Sequence, residues 1–360
     1  MDYKSYFLFA GLTMLGVFSS VLAVNFLVDP LWYYDGNRIS DKNFIYNERY
    51  SKAIRFSRSK QHYDCLVFGS STATLLNERK IEGYRCYNFA VSGGNLRDAS
   101  HLLQFAKAHI KPLRLVVVGL DPANLLDAEL DADVTDFIRD EANLPNPVRA
   151  YLALDLSFFS LQAMVGMVPP LHYLRYYKAD FTAELWPGAG RYRPELILTP
   201  EVEGRFGHSM TAPFGTRNVV FISQLRAALP GTKLIGYGPP IFANYIGFLY
   251  LSGSLEGFLK TNYQAAKMFD AYYDFTRPSA ITADAGNTPD GEHFNAMVND
   301  AIVHAIQGKD AEFGTNLHKV SLDRYVREYV AAAKQYVQDS GMRLGMDIGR
   351  GRWAATEARH

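Results

Sequence analysis

Hydrophobic and polar positions divide the chain into three regimes. From Tyr6 to Val28 the sequence YFLFAGLTMLGVFSSVLAVNFLV is almost uninterrupted apolar, with Asn25 its only strongly polar residue. At ~1.5 Å per residue, a helix of that length crosses a ~30 Å hydrocarbon core. Trp32, Tyr33 and Tyr34 follow, where an interfacial aromatic belt is expected. Residues 35–60 are polar with a loose helical stripe (Phe44, Ile45, Tyr50, Ile54), which predicts a helix leading into a first strand. Short apolar runs then alternate with helix-length segments. Strands are predicted at 63–68, 84–89 and 113–120, with helices at 72–78 and 96–109. The run LRLVVVGL is typical of a strand covered on both faces. This alternation predicts a parallel α/β sheet with right-handed crossovers.

The rhythm breaks at Pro122. Residues 122–213 are rich in Leu, Phe, Tyr, Pro and Gly, with a helix predicted at 149–168 and ended by Pro169-Pro170. Asp155 and Gln162 make that helix a poor second membrane span, so the region reads as an insertion forming a lid or wall over the sheet. Alternation resumes with a helix at 219–228, a strand at 233–238, a Pro239-Pro240 loop, a helix at 255–271 and a strand at 272–275. A helix running to Ile306 and an amphipathic helix at 322–337 complete the pattern. The expected organisation is an anchor with an interfacial segment (1–34), an α/β domain (35–310) carrying the insertion, and a C-terminal helix and tail (311–360).

The 360 residues are 48% hydrophobic, enough for one large core. Lys+Arg and Asp+Glu are both 37 and no basic run is visible, which argues against nucleic acid as a partner. The 23 Tyr and 23 Phe are mostly core, although a carbohydrate cleft draws on the same residues. Two cysteines, Cys65 and Cys86, are too few for a disulfide scaffold and lack metal spacing. Both fall in predicted strands. If those strands are neighbours the thiols come close, and a bond in an oxidising compartment is the alternative. Neighbouring-strand geometry rarely suits a disulfide, however, so two buried free thiols are the favoured expectation. Val21-Leu22-Ala23 resembles a signal cleavage site, but the apolar run is long and continues past it, which favours an uncleaved anchor. Lys4 precedes the span while Arg38, Lys42 and Arg49 follow it, so charge counting alone points away from export of the following domain.

Open α/β sheets bind ligands beyond the carboxyl ends of their strands. Ser71 follows the first strand, Gly93 and Asn95 the second, Asp121 and Asn124 the third, and Asp290 and His293 the last. An Asp three residues before a His can accept from its Nδ1–H, fix the tautomer and stabilise the imidazolium formed when Nε2 takes a serine proton. The chain thus offers a nucleophile, a base, an orienter and backbone donors at one sheet edge. Bland readings compete: Gly-Ser-Ser as an N-cap with Ser70 capping, Asp290 as the cap of the following helix, and Gly93-Gly94 as a tight turn. His172 and His208 lie in the insertion, where lone histidines are usually structural. Tyr173, Tyr176 and Tyr177 suit core packing better than sugar stacking.

Gly69-Ser70-Ser71, Asn88-Phe89-Ala90-Val91-Ser92-Gly93 and Asp290-Gly291-Glu292-His293, in that order, resemble the blocks of the SGNH/GDSL hydrolase superfamily. The Gly-Ser-Ser variant behind an anchor, with Val28-Asp29-Pro30 just after it, looks more specifically like the membrane-anchored envelope branch. That branch includes relatives of alginate O-acetyltransferases and teichoic-acid D-alanylation proteins. The resemblance covers roughly 45–120 and 215–306. It implies a flavodoxin-like three-layer SGNH domain, with Ser71 as nucleophile, His293 as base, Asp290 as orienter, and the Ser71 and Gly93 N–H groups as oxyanion donors. It also implies a bacterial inner-membrane protein with its domain outside the cytoplasm, an acyl donor or acylated polysaccharide as substrate, a membrane-protein partner and no cofactor. The sequence departs from the family at Gly119-Leu120-Asp121-Pro122, where Asp121 replaces an oxyanion-donating Asn. Asn124, Asn95 or a protonated Asp121 are the available substitutes. The expected function is transfer or hydrolysis of an O-acyl group on a cell-surface polysaccharide. A noncatalytic scaffold or polysaccharide-binding subunit is the alternative, and a small-molecule lipase is less favoured because the insertion shows no acyl channel.

Overall fold

The computed structural model describes residues 2–110, 112–130, 138, 142, 144–165, 174–309 and 313–345. The chain packs as two compact units, one of residues 1–61 with 134–189 and the other of 62–133 with 190–360.

The larger unit is mixed α/β. Strands β1 (Cys65–Phe68), β2 (Cys86–Asn88), β3 (Leu115–Gly119), β4 (Lys233–Gly238), β5 (Ala271–Asp274) and β6 (Thr315–Asn316) form one sheet in the order 2-1-3-4-5-6. The first five strands are parallel, and β6 runs antiparallel to β5. Every residue of β1, β2 and β3 is buried, the pattern of parallel strands covered on both faces. Val67, Val117, Ile235, Phe294 and Ile302 belong to one core cluster. The chain leaves β1 on one side to make β2 and returns on the other to make β3. The topological switch point therefore lies between β1 and β3.

Cys65 stands opposite Cys86 in the β1–β2 ladder, and the two form a disulfide. Two free thiols were expected, and the structure corrects this. Direct register across neighbouring strands brings the Cα atoms to 4.1 Å, a pairing that strand predictions alone did not specify.

The first three predicted strands run one or two residues past the ends of those formed, the fifth is displaced by one residue, and β4 matches at both ends. A helix at Ala243–Ser252 was not foreseen. All but its last turn is buried, so its sequence ANYIGFLYLS lacks the one-sided periodicity that marks a surface helix. The Leu322–Ser340 helix packs on it and on the Leu255–Ala266 helix. Buried Asp274 at the end of β5 accepts from the Thr276 N–H (2.9 Å) and the Tyr325 hydroxyl (2.5 Å), pinning that C-terminal helix to the sheet.

The smaller unit contains the helix Tyr3–Val28, the one helix among the described residues long and apolar enough to cross a membrane, with mean hydropathy 2.1. Helices Glu48–Arg58, Pro147–Tyr151 and Leu154–Met164 accompany it, with an antiparallel pair, Arg175–Tyr177 and Ala183–Leu185. Asp29 ends this apolar helix in the left-handed conformation, and its carboxylate accepts from the Tyr33, Tyr34 and Gly36 N–H groups. Trp32 and Tyr33 are 2% and 7% exposed, so these two of the three residues expected in an aromatic belt are instead part of this unit's core, while Tyr34 is half-buried; Trp32 packs edge-on to Phe181. Tyr176 and Tyr177 hydrogen-bond to Glu184 and Glu48. The anticipated insertion is divided: 134–189 fold with the N-terminal segment and 190–213 with the sheet. His172, Tyr173 and Pro169-Pro170 lie outside the described residues.

The turn after β2 leaves no room for a side chain at Gly94, where a Cβ would sit 2.5 Å from the Gly69 carbonyl oxygen and 2.9 Å from that of Val91. We expect Gly94→Ala to destabilise the protein by about 1–3 kcal/mol in thermal unfolding of detergent-solubilised material. Gly257→Ala, in the Leu255–Ala266 helix with nothing within 4 Å, should instead stabilise by about 0.5–1 kcal/mol.

Candidate functional site

A cavity of about 500 Å³ opens where β1, β2, β3 and β4 end. Five of the seven sequence-predicted site residues line it: Ser71, Gly93, Asn95, Asp121 and Asn124. Glu292 lines it too, between the remaining two, Asp290 and His293.

The strand-to-helix turn after β1 separates the two serines. Ser70 caps the short Ser71–Thr74 helix, its hydroxyl accepting from the Thr72 N–H at 3.3 Å. The Ser71 hydroxyl has no intramolecular hydrogen bond, and neither the Ser71 nor the Gly93 N–H has an acceptor among the described residues. Both residues line the cavity.

The Asp290–His293 segment is shaped by Gly291, whose φ of +91° a side-chain-bearing residue rarely adopts; the Tyr192 ring packs 2.9 Å from where its Cβ would lie. That bend turns Asp290 back on His293. Asp290 Oδ1 accepts from the Glu292 and His293 N–H groups at 3.0 and 2.9 Å, and Oδ2 meets His293 Nδ1 at 2.6 Å. The helix that follows, Ala296–Ile306, takes Asn295 as its cap, which removes the reading of Asp290 as an ordinary helix cap. His293 is buried, and its Nε2 has no partner among the described residues. The carboxylate thus fixes one ring nitrogen and leaves the other without a bond, a costly arrangement for a merely structural histidine.

The carboxylates around this histidine titrate in opposite directions. Burial raises the Asp290 pKa, but the His293 ring hydrogen bond and charge outweigh it and hold the carboxyl below the usual range. Burial pushes Asp121 up; hydrogen bonds from Ser70 and Thr72, the latter at 3.0 Å, and the His293 charge only partly offset that. Asp121 Oδ2 is buried without a partner. Glu292 is also raised, first by desolvation and then by Asp290 and Asp121, against the pull of His293.

The two candidate asparagines differ. Asn95 caps the Leu96–Lys107 helix: its Oδ1 accepts from the Arg97 and Asp98 N–H groups, in a capping box with Asp98. Its oxygen is committed to the helix. Asn124 Oδ1 accepts from the Leu96 N–H at 3.0 Å, which fixes the amide orientation and leaves Nδ2 as an unpaired donor in the cavity wall. Thr72, which ties Asp121 to the serine turn, had no sequence signal. On the far wall His208 Nε2 meets the buried Tyr245 hydroxyl at 2.9 Å, and burial lowers the His208 pKa. His208 was visible as a lone histidine; Tyr245 sits in the helix that the periodicity missed.

The chain matches no family model and no curated protein. Among solved structures it is similar to one described as "The structure of a putative platelet activating factor from Streptococcus pneumonia", at 9% identity and a TM-score of 0.33, over 72% of this chain and 89% of that one.

The Asp290 pKa is lowered in the folded state, so the stability it contributes is present above the ordinary value of 3.8 and is lost as pH falls through the folded pKa. Urea denaturation should find Asp290→Asn less stable than wild type at neutral pH, with the gap closing as the pH drops from about 5 to about 2. A gap independent of pH would contradict the assigned pairing.

Proposed function

We propose that the protein is an envelope-anchored SGNH-type serine acyltransferase or esterase, acting on an O-acyl group, acetyl being the simplest, of a cell-surface polysaccharide. The observation that carries this reading is His293, buried with Nδ1 held by Asp290 and Nε2 unpartnered. The Ser71 turn and its unpaired N–H groups border the neighbouring cavity.

In this mechanism Ser71 Oγ attacks the acyl carbonyl while its proton passes to His293 Nε2. The carbonyl electron pair moves onto oxygen, where the Ser71 and Gly93 N–H groups and Asn124 Nδ2 donate to it. Collapse expels the donor's oxygen with the proton from His293 and leaves an acyl-serine. A sugar hydroxyl or water, deprotonated by His293, attacks that ester, and the departing Ser71 oxygen recovers the proton. Asp290 stays ionised throughout and stabilises the imidazolium. Asp121, raised by burial, keeps an O–H in its acid form and then adds a donor; once ionised it opposes the developing oxyanion.

Transfer is preferred to hydrolysis because of the membrane-anchored branch that the motifs resemble. An oxidising, extracytoplasmic compartment is supported by the Cys65–Cys86 disulfide. Asp121 also favours a second reading, a noncatalytic polysaccharide-binding subunit, since an ionised carboxylate at this position suits a sugar hydroxyl better than an oxyanion.

Turnover of a chromogenic acetyl ester tests the proposal. Ser71→Ala should lower kcat by at least ~10³-fold, whereas Ser70→Ala should retain most activity. Asp121→Asn supplies a permanent donor. It should raise activity most at alkaline pH, by up to ~10²-fold, and remove the alkaline limb that Asp121 ionisation imposes. Wild-type turnover indistinguishable from Ser71→Ala at every pH would favour the binding subunit.

A further inference from the structure

The Leu154–Met164 helix is apolar on two faces, and one of them is exposed, with no cover from the described residues of its unit. Leu156 and Phe159 are buried, and Ser157 accepts from Asn25 of the membrane helix at 2.7 Å. The same Asn25 amide also donates to the Tyr151 carbonyl at 2.7 Å, fixing the helix beside the last two turns of Tyr3–Val28. On the opposite side Leu154, Phe158, Leu161 and Val165 fall within one narrow stripe at helical spacing and are 81, 65, 50 and 65% exposed. A contiguous exposed apolar stripe of this kind marks an interaction surface.

The place of this helix along the anchor says what covers the rest. Residues 3–20 of the membrane helix are exposed apart from Ala10, a length of about 27 Å, close to one hydrocarbon core. The Leu154–Met164 helix packs just beyond, beside Asn25. At that level Arg38 donates to the Phe26 carbonyl at 2.7 Å and lays its guanidinium 4.2 Å from the Phe26 ring, an arrangement suited to the headgroup region. An open apolar notch of about 280 Å³, lined by Leu22, Ala23, Phe26, Tyr34, Val148 and Tyr151, lies at the same height. The notch shares Leu22, Ala23 and Phe26 with the apolar helix itself.

We propose that the Leu154–Met164 helix is a membrane-interface helix. Its Leu154–Phe158–Leu161–Val165 stripe would sink into the acyl boundary of the leaflet at the C-terminal end of the anchor, with Asp155 and Gln162 beside it at the headgroups. The occupant is the bilayer itself, and the chain then holds the membrane at two places rather than one. This rests on the Tyr3–Val28 helix spanning the membrane, and the test separates the two claims.

Full-length protein carrying a nitroxide on Leu161→Cys is reconstituted into phosphatidylcholine–phosphatidylglycerol vesicles. Cys65 and Cys86 are bonded to each other, so the introduced thiol takes the label. Collisions with oxygen, which partitions into lipid, are compared with collisions with a water-soluble nickel complex. Leu12→Cys in the anchor and Lys260→Cys on the sheet unit are the lipid and water references. Leu161→Cys should favour oxygen, as Leu12→Cys does, at a depth of ~5–10 Å. A nickel-favouring Leu161→Cys beside an oxygen-favouring Leu12→Cys overturns the interface helix and leaves the anchor standing. Shielding of Leu161→Cys from both reagents would mean that protein, such as a second copy of this chain, covers the stripe. A water-exposed Leu12→Cys would remove the anchor and the proposal together.

Discussion

The site depends on one register. Cys65 to Phe68 of β1 pair in parallel with Leu115 to Val118 of β3, so two adjacent strands end at the same height on either side of the switch point. The turn carrying Ser70 and Ser71 and the turn carrying Asp121 then face each other, joined by the hydrogen bond from Thr72 to Asp121. A slip of one residue would send every side chain of β1 to the other face of the sheet and break this opposition. Burial on both faces and the Cys65–Cys86 bond on the β2 side hold the strand in place. The cavity is thus a consequence of strand pairing, and its polar groups are presented by short turns rather than by long loops.

Against that frame, the electrostatics around His293 are asymmetric. Asp290 is solvated by backbone N–H groups and by the imidazole, so it stays charged. Asp121 gains less from its neighbours than burial takes away, so it resists charging. Carboxylates driven in opposite directions around one imidazole are what an acid–base site needs, because each group is then confined to one role. Asn124 completes the arrangement three residues after Asp121: its oxygen is held by the Leu96 N–H and its nitrogen is free to donate. Asn124 thus offers an amide donor at the cavity wall.

Much of the sheet was legible because buried parallel strands are short, continuous apolar runs, and β4 matched its predicted limits at both ends. Ser71 and Asp121 were placed because each comes within a few residues of a strand end, whereas Asp290 and His293, well beyond β5, were singled out by their Asp-x-x-His spacing. What the sequence hid was non-local. The buried Ala243–Ser252 helix carries no polar face, and so Tyr245 and its contact with His208 went unseen. The disulfide needed register, which local pattern does not specify. Trp32 and Tyr33 matched an interfacial belt in composition, yet their partners lie more than a hundred residues away, in Phe181 and Tyr151. Asn95 was chosen for its place after β2, and that same place made it the cap of the next helix.

The central claim is that Ser71, activated by His293, forms a covalent acyl intermediate. A fluorophosphonate mimics the acyl donor and leaves a stable adduct on an activated serine, which intact-mass measurement and peptide mapping can locate. The account predicts one adduct per chain, on Ser71, formed by wild type and lost in His293→Ala. No adduct on the wild-type protein, or one on Ser70 that persists in His293→Ala, would contradict it.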